Sequence, residues 1–207
     1  MHTRKNNIAF AGRAIFALIL CLGTTSLCGQ RFQFGASGAA LLSQVDGDHL
    51  RGFNKFGYSA GLVGGYSLNS SNWVVVQLQY SNFGSRQRDE SDELKTVETN
   101  FNTINAFCGY ALRFGDSWDG SRRFRLLVGP KIHSVQKAEL DGKPSKSSVD
   151  RYFLSASASI GAFISRSMIV DLGYEQGLTT IVKDGIPGLP GLVPYYLSIG
   201  TTVYLFQ

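Results

Sequence analysis

Cysteine is nearly missing from this chain, with three in 207 residues, at positions 21, 28 and 108. Cys21 and Cys28 fall in an N-terminal segment that reads as a removable leader. Only Cys108 lies beyond it, so no internal disulfide can form and the fold must hold without one. Cys108 stands in an alternating stretch and reads as a small apolar strand residue. Three His and no Cys/His grouping leave a zinc or cluster site without a ligand set. No phosphate-cradling Gly-Lys loop appears either. The residues therefore point to no cofactor, no metal and no catalytic centre.

A second long apolar run is also lacking. A membrane-crossing helix needs about 20 apolar residues. The one candidate is "AIFALILCLGTTSLCG", preceded by Arg4, Lys5 and Arg13. A charged start, a short apolar middle and a small-residue exit describe a secretory signal peptide over residues 1–29. Cleavage is expected after Cys28 or Gly29, leaving residues 30–207 as one domain.

Charge of one sign is scarce as well. The whole chain carries 20 Lys/Arg and 15 Asp/Glu, but three of the basic residues lie in the leader. The remaining chain is close to neutral, at +2. Past the leader no basic run exceeds Arg122-Arg123, which excludes nucleic acid as a partner.

What is abundant is period-2 alternation. The stretch Asn72 to Ser85 sets Val74, Val76, Leu78 and Tyr80 against Gln77, Gln79 and Ser81. Seven further segments alternate in the same way: 31–45, 56–68, 96–114, 123–136, 151–164, 168–181 and 195–206. Such alternation predicts strands with one apolar and one polar face. The connections differ in kind. "NSS" and "SRS" are short, "GDSWDGSR" is intermediate, and "DGDHLRGFNK", "RQRDESDELK", "KAELDGKPSKSSVD" and "KDGIPGLPGLVP" are long and charged or rich in Gly and Pro.

Two architectures use eight such strands. A soluble periplasmic ligand-binding barrel turns its apolar face inward. A transmembrane barrel turns it out to lipid and fills its narrow lumen with small and polar side chains. The polar face here is mostly Gly, Ser, Gln, Asn and Thr, and aromatics gather near strand ends. Short turns alternate with long loops, as in outer-membrane barrels. The expected fold is an all-β, eight-stranded, antiparallel up-and-down transmembrane barrel, in which Val74, Val76, Leu78 and Tyr80 face lipid. Val75, an apolar residue on the inner face near a short turn, is expected to plug the base.

The segment Leu41 to Leu68 resembles the start of the PorT-family outer-membrane β-barrel domain of Bacteroidetes. The matching pieces are Ser43-Gln44, Gly47-Asp48, Gly52-Phe53-Asn54-Lys55 with Gly57, and Gly61, and "WVVVQLQYSNFGS" resembles that family's third strand. The resemblance implies an eight-stranded barrel in the outer membrane and no catalytic residues.

Three groups of residues invite chemistry. Arg113, Arg123, Arg125, Lys131 and His133 form a basic row on inner faces, and Asp171 and Glu175 offer counter-charges across the lumen. A buried charge is costly unless paired, so these seven are expected to form an internal network. Ile186, Leu189, Leu192 and Val193 place apolar groups in the last long loop, for a partner, for lipid or for the barrel mouth. Ser43, Asp46, Asp48 and His49 cluster before and within the first long loop. They supply the residue types, without the geometry, of a lipid-modifying enzyme. The main expectation is a small non-enzymatic outer-membrane barrel, structural, adhesive or accessory, presenting four loops. Its expected partners are outer-membrane lipid, the barrel-assembly machinery during biogenesis and an envelope or extracellular protein.

Overall fold

Each alternating segment becomes a strand, and the strands close on themselves. The computed structural model describes residues 31–46, 55–88, 96–116, 122–140, 143–144, 149–181 and 191–206. The elements are β1 (Phe32–Asp46), β2 (Lys55–Ser67), β3 (Asn72–Arg88), β4 (Thr96–Asp116), β5 (Arg122–Leu140), β6 (Lys143–Pro144), β7 (Tyr152–Phe163), β8 (Met168–Gly177) and β9 (Val193–Phe206). All pairings are antiparallel. β1 pairs with β2 on one side and with β9 on the other, and β4 pairs with β5. The eight long strands therefore form a closed barrel, and β6 is a two-residue return on the end of β5.

Several boundaries differ from the sequence expectation, with β3 and β5 running on to Arg88 and Leu140, past Ser85 and Gln136. The strand expected to reach Ile181 ends at Gly177, because the Leu178 and Thr179 amides turn back to donate to the Leu154 carbonyl. Ile181 instead exchanges backbone contacts with loop residues, its amide donating to the Leu192 carbonyl. The last strand starts at Val193, with Pro194 second, near a strand end where a missing N–H is tolerated. The β4–β5 ladder shifts register between Asn102 and Thr103, and its pairs pass from Phe107↔Lys131 to Tyr110↔Val128, with Pro130 standing in that gap.

The outer wall carries the large apolar side chains. Leu78 is 56% exposed, and Leu62, Val76, Ile132, Leu172 and Ile199 share its outward orientation. Phe56, Tyr58, Tyr80 and Tyr152 lie toward the long-loop end of this band. Phe32, Phe34, Phe114 and Phe124 lie toward the short-turn end. An apolar band between two aromatic girdles is the surface a lipid bilayer requires. A soluble barrel with its apolar face inward is therefore excluded.

Inside, two apolar clusters close the ends. Val63, Trp73, Val75, Phe107, Ala111, Leu127, Ile169 and Tyr204 pack beside the short turns. Val75 is 1% exposed within this plug, the place its sequence position predicts. Leu41, Val45, Phe83, Phe101, Phe153, Ile181, Leu192 and Tyr196 belong to a second cluster beside the long loops. The polar layer lies between them.

Candidate functional site in the lumen

The inner faces of β5 and β8 carry the charges, and β7 separates the two strands. Arg125 and Asp171 both stand opposite Gly161, one on each side. A Cβ on Gly161 would lie 2.2 Å from Asp171 Oδ1. The missing side chain is what lets the two groups meet across β7. Arg125 Nη2 donates to Asp171 Oδ1 and Oδ2, both at 2.7 Å, and Arg125 Nη1 donates to the Tyr204 hydroxyl at 3.1 Å. Thr202 Oγ1 donates to Asp171 Oδ2 at 3.4 Å.

A second group sits one layer nearer the long loops. Lys131 Nζ donates to Glu175 Oε2 at 2.5 Å and lies 3.4 Å from the Tyr196 hydroxyl. His133 Nε2 and Ser155 Oγ each meet Glu175 Oε1 at 2.7 Å. His133 stacks on Phe153 with ring centroids 4.2 Å apart and the planes 7° from parallel. Across the two layers the cations Arg125 and Lys131 are matched by the carboxylates Asp171 and Glu175. Pairing of this kind is what makes buried charge tolerable.

The basic row does not act as one unit. Arg125, Lys131, His133, Asp171 and Glu175 come together. Arg113 lies at the short-turn end, its guanidinium 3.8 Å from the Trp73 ring centre, with Nη2 donating to Gln33 Oε1 at 2.6 Å. That is a stacked cation in the base plug rather than a member of the ion-pair layer. Arg123 is exposed beside the same end. Arg113 and Arg125 are direct partners across β4 and β5, so the difference is one of side-chain direction, Arg113 turning toward Trp73 and Arg125 across β7 toward Asp171.

A polar chamber with about 80 Å³ of free space for water lies beside the charged layer, lined by Ser37, Gln79, Arg125, Ser157, Asp171 and Ser198 among others. At about 10–15 Å³ per water centre it has room for several waters. The two apolar clusters lie on either side of it.

Ser155, His133 and Glu175 match a hydrolase triad in residue type only. Ser155 Oγ and Glu175 Oε1 both approach His133 Nε2, at 3.0 and 2.7 Å, whereas a triad puts nucleophile and orienting acid on opposite ring nitrogens. His133 Nδ1 meets Thr103 Oγ1 instead, at 3.4 Å. The sequence Gly57-Tyr58-Ser59-Ala60-Gly61 also has the G-x-S-x-G form. Ser59 stands in mid-strand on the lumen side, without the strand-to-helix turn that exposes such a nucleophile.

The remaining sequence candidates separate. Ser43 is buried, and its hydroxyl donates to the Gly84 carbonyl at 2.8 Å while accepting from the Gly84 amide at 3.0 Å, a bridge from β1 to β3. Asp46 ends β1, and Asp48 and His49 lie outside the described residues. Leu192 is fully buried in the mouth cluster, and Val193 is partly buried and paired with Asp46 in β9. Ile186 and Leu189 lie outside the described residues. The sequence reading overlooked Tyr196, Tyr204, Ser155 and Thr202 as partners of the charges. The signal was parity, since Tyr196 and Tyr204 share the inner face of β9 with Ser198 and Thr202.

Comparison with known proteins places this geometry. A family model described as "Outer membrane protein beta-barrel domain" matches residues 14–187. Among solved structures, Neisserial surface protein A matches with a TM-score of 0.51 at 15% identity, over 83% of this chain and 96% of that one. Ail, the attachment invasion locus protein of Yersinia pestis, matches with a TM-score of 0.50 at 14% identity, over 84% of this chain and 99% of that one. At these identities the likeness is one of fold. No curated protein matches the sequence.

Proposed function

We propose, since the chain belongs to the outer membrane protein beta-barrel domain family, that it is a non-enzymatic barrel serving as an adhesive, structural or accessory component. The observation that carries this reading is the filled lumen. Apolar clusters stand on both sides of a self-neutralised charge layer, and eight strands leave an interior only wide enough for side chains. The function then belongs to the surfaces, and long connections between strands are where binding residues concentrate. The Leu41 to Leu68 motifs support a PorT-type member. The N-terminal segment supports export through a cleaved signal peptide, with assembly by the barrel machinery of the envelope. In this orientation the short turns face the periplasm and the long loops face out.

Protease treatment of intact cells tests it. Cuts are expected within residues 47–54, 89–95, 145–148 or 182–190, with the short connections at 68–71 and 164–167 protected until the envelope is opened. Protection of the long loops in intact cells, with cutting only after lysis, would remove the surface role.

A further inference from the structure

We propose that the outer face of the β3–β4–β5 wall, just beyond the lipid band, docks the saccharide headgroup of an outer-leaflet glycolipid. The inference rests on the orientation given above, with the long loops outside.

The wall is one-sided. β3, β4 and β5 run on to Arg88, Thr96 and Leu140 at the loop end, whereas β2 starts at Lys55 and β7 at Tyr152. Register shows the excess. The β2–β3 pairing stops at Tyr58↔Asn82, and β3 continues beside β4 to Arg88↔Thr96. The inner face of this extension is occupied, since Phe83, Phe101 and Ala138 belong to the mouth cluster. On its outer face Asn82, Asn100 and Asn102 are partly exposed among the described residues.

Along that face the chemistry changes within one step. The outward positions of β3 run Val76, Leu78, Tyr80 and then Asn82. Those of β4 run Ala106, Ile104 and then Asn102 and Asn100. The apolar band ends there, and amides replace it with no intervening ion pair. Asn82 Nδ2 donates to Asn100 Oδ1 at 2.7 Å and to Asn102 Oδ1 at 2.5 Å. Both of its amide hydrogens are spent within the cluster. That fixes the orientation of all three side chains. It leaves one carbonyl acceptor on Asn82 and the NH₂ donors of Asn100 and Asn102 for a ligand. Tyr58 pairs directly with Asn82, and the Tyr58 and Tyr80 rings lie 6.2 Å apart just beneath.

Fixed uncharged donors and an acceptor beside exposed aromatic faces suit a sugar. Its hydroxyls both donate and accept, and its C–H faces lie flat on rings. A phosphodiester headgroup wants a cation at this level instead, and the nearest exposed ones sit further up the wall. Arg86 lies four pairs beyond Asn82 on β3, opposite Glu98, and Lys137 is held by Glu139 at 2.6 Å. Both cations stand beside carboxylates, which disfavours a phosphate there. Location fits as well, because the patch continues the lipid band. A glycolipid already in the leaflet reaches it with its acyl chains still in the hydrocarbon.

The test uses the full-length protein folded in detergent micelles, titrated with rough lipopolysaccharide and, separately, with phosphatidylglycerol. Rough lipopolysaccharide is expected to bind at least about tenfold more tightly. The double variant Asn100→Ala/Asn102→Ala is expected to lose most of that preference, and Leu172→Ala on the far wall is expected to keep it. Equal affinity for the two lipids, or a preference unchanged in the double variant, overturns the proposal. Tyr58→Leu preserves the apolar contact and removes the aromatic face, so it decides the matter if the double variant does not fold. Lipid selectivity in micelles does not depend on orientation, so its failure is distinct from failure of the protease experiment.

Discussion

Glu175→Gln is expected to lower the unfolding free energy of the barrel by about 3–5 kcal/mol, the usual cost of breaking a buried ion pair from one side. The Glu175 side chain is 4% exposed and meets Lys131, His133 and Ser155. Gln still accepts one or two of those bonds, but it removes the only carboxylate paired with Lys131 among the described residues. The ammonium then keeps the Tyr196 hydroxyl at 3.4 Å and little else. Asp171→Asn should cost less, because the Asp171 side chain is 15% exposed and Arg125 retains Tyr204. Replacing both partners, as Lys131→Met with Glu175→Leu, should recover most of the loss, since an apolar pair of similar volume is often neutral against a buried ion pair. The readouts are the urea midpoint in a defined detergent and the temperature at which the folded band is lost on an unheated gel. A Glu175→Gln midpoint equal to wild type would mean that the network does not support the fold.

The fold was legible because a membrane barrel repeats one rule along its length. Every strand presents alternate residues to lipid, so eight weak period-2 signals agree on a single answer. Val74 to Tyr80 shows this at one strand, and the place of Val75 in the base plug shows that the exception was legible too. The lumen was legible by face and not by partner. Parity put Arg113, Arg125, Lys131 and His133 on inner walls. It did not say that Arg113 turns to Trp73 while its cross-strand partner Arg125 turns to Asp171, because that depends on which strands flank each one once the barrel closes. Gly161 carried no visible message in the sequence. Its role appears only when Arg125 and Asp171 are seen on either side of it. Tyr196 and Tyr204 were hidden by their size, since aromatics in a membrane barrel are expected at the girdles, yet both point inward and add a hydrogen-bond partner to Lys131 and Arg125. The outer amide cluster was lost for a different reason. Asn82 reads as a lone polar residue within the stretch Asn72 to Ser85 until Asn100 and Asn102 are brought beside it by the β3–β4 register.

Leu78→Arg is the sharpest test of which face meets lipid, with an expected cost of about 2–4 kcal/mol. Leu78 lies in mid-strand, paired with Leu62 on β2 and Ala106 on β4, far from either aromatic girdle. An Arg there must enter the hydrocarbon or distort the bilayer to reach water. Phe56→Arg supplies the comparison. Phe56 is 79% exposed at the loop-side girdle, where the same charge should cost about 0–1 kcal/mol. The ranking separates membrane from water because exposure alone predicts small costs at both sites. In a water-soluble barrel both outward positions would accept Arg with little change, as exposed surface substitutions do. In lipid the cost follows depth, so the less exposed of the two sites is the expensive one for a reason unrelated to packing. Unfolding titrations in a bilayer of defined thickness measure both values. Equal small costs at Leu78 and Phe56 would turn the barrel's outer face back toward water.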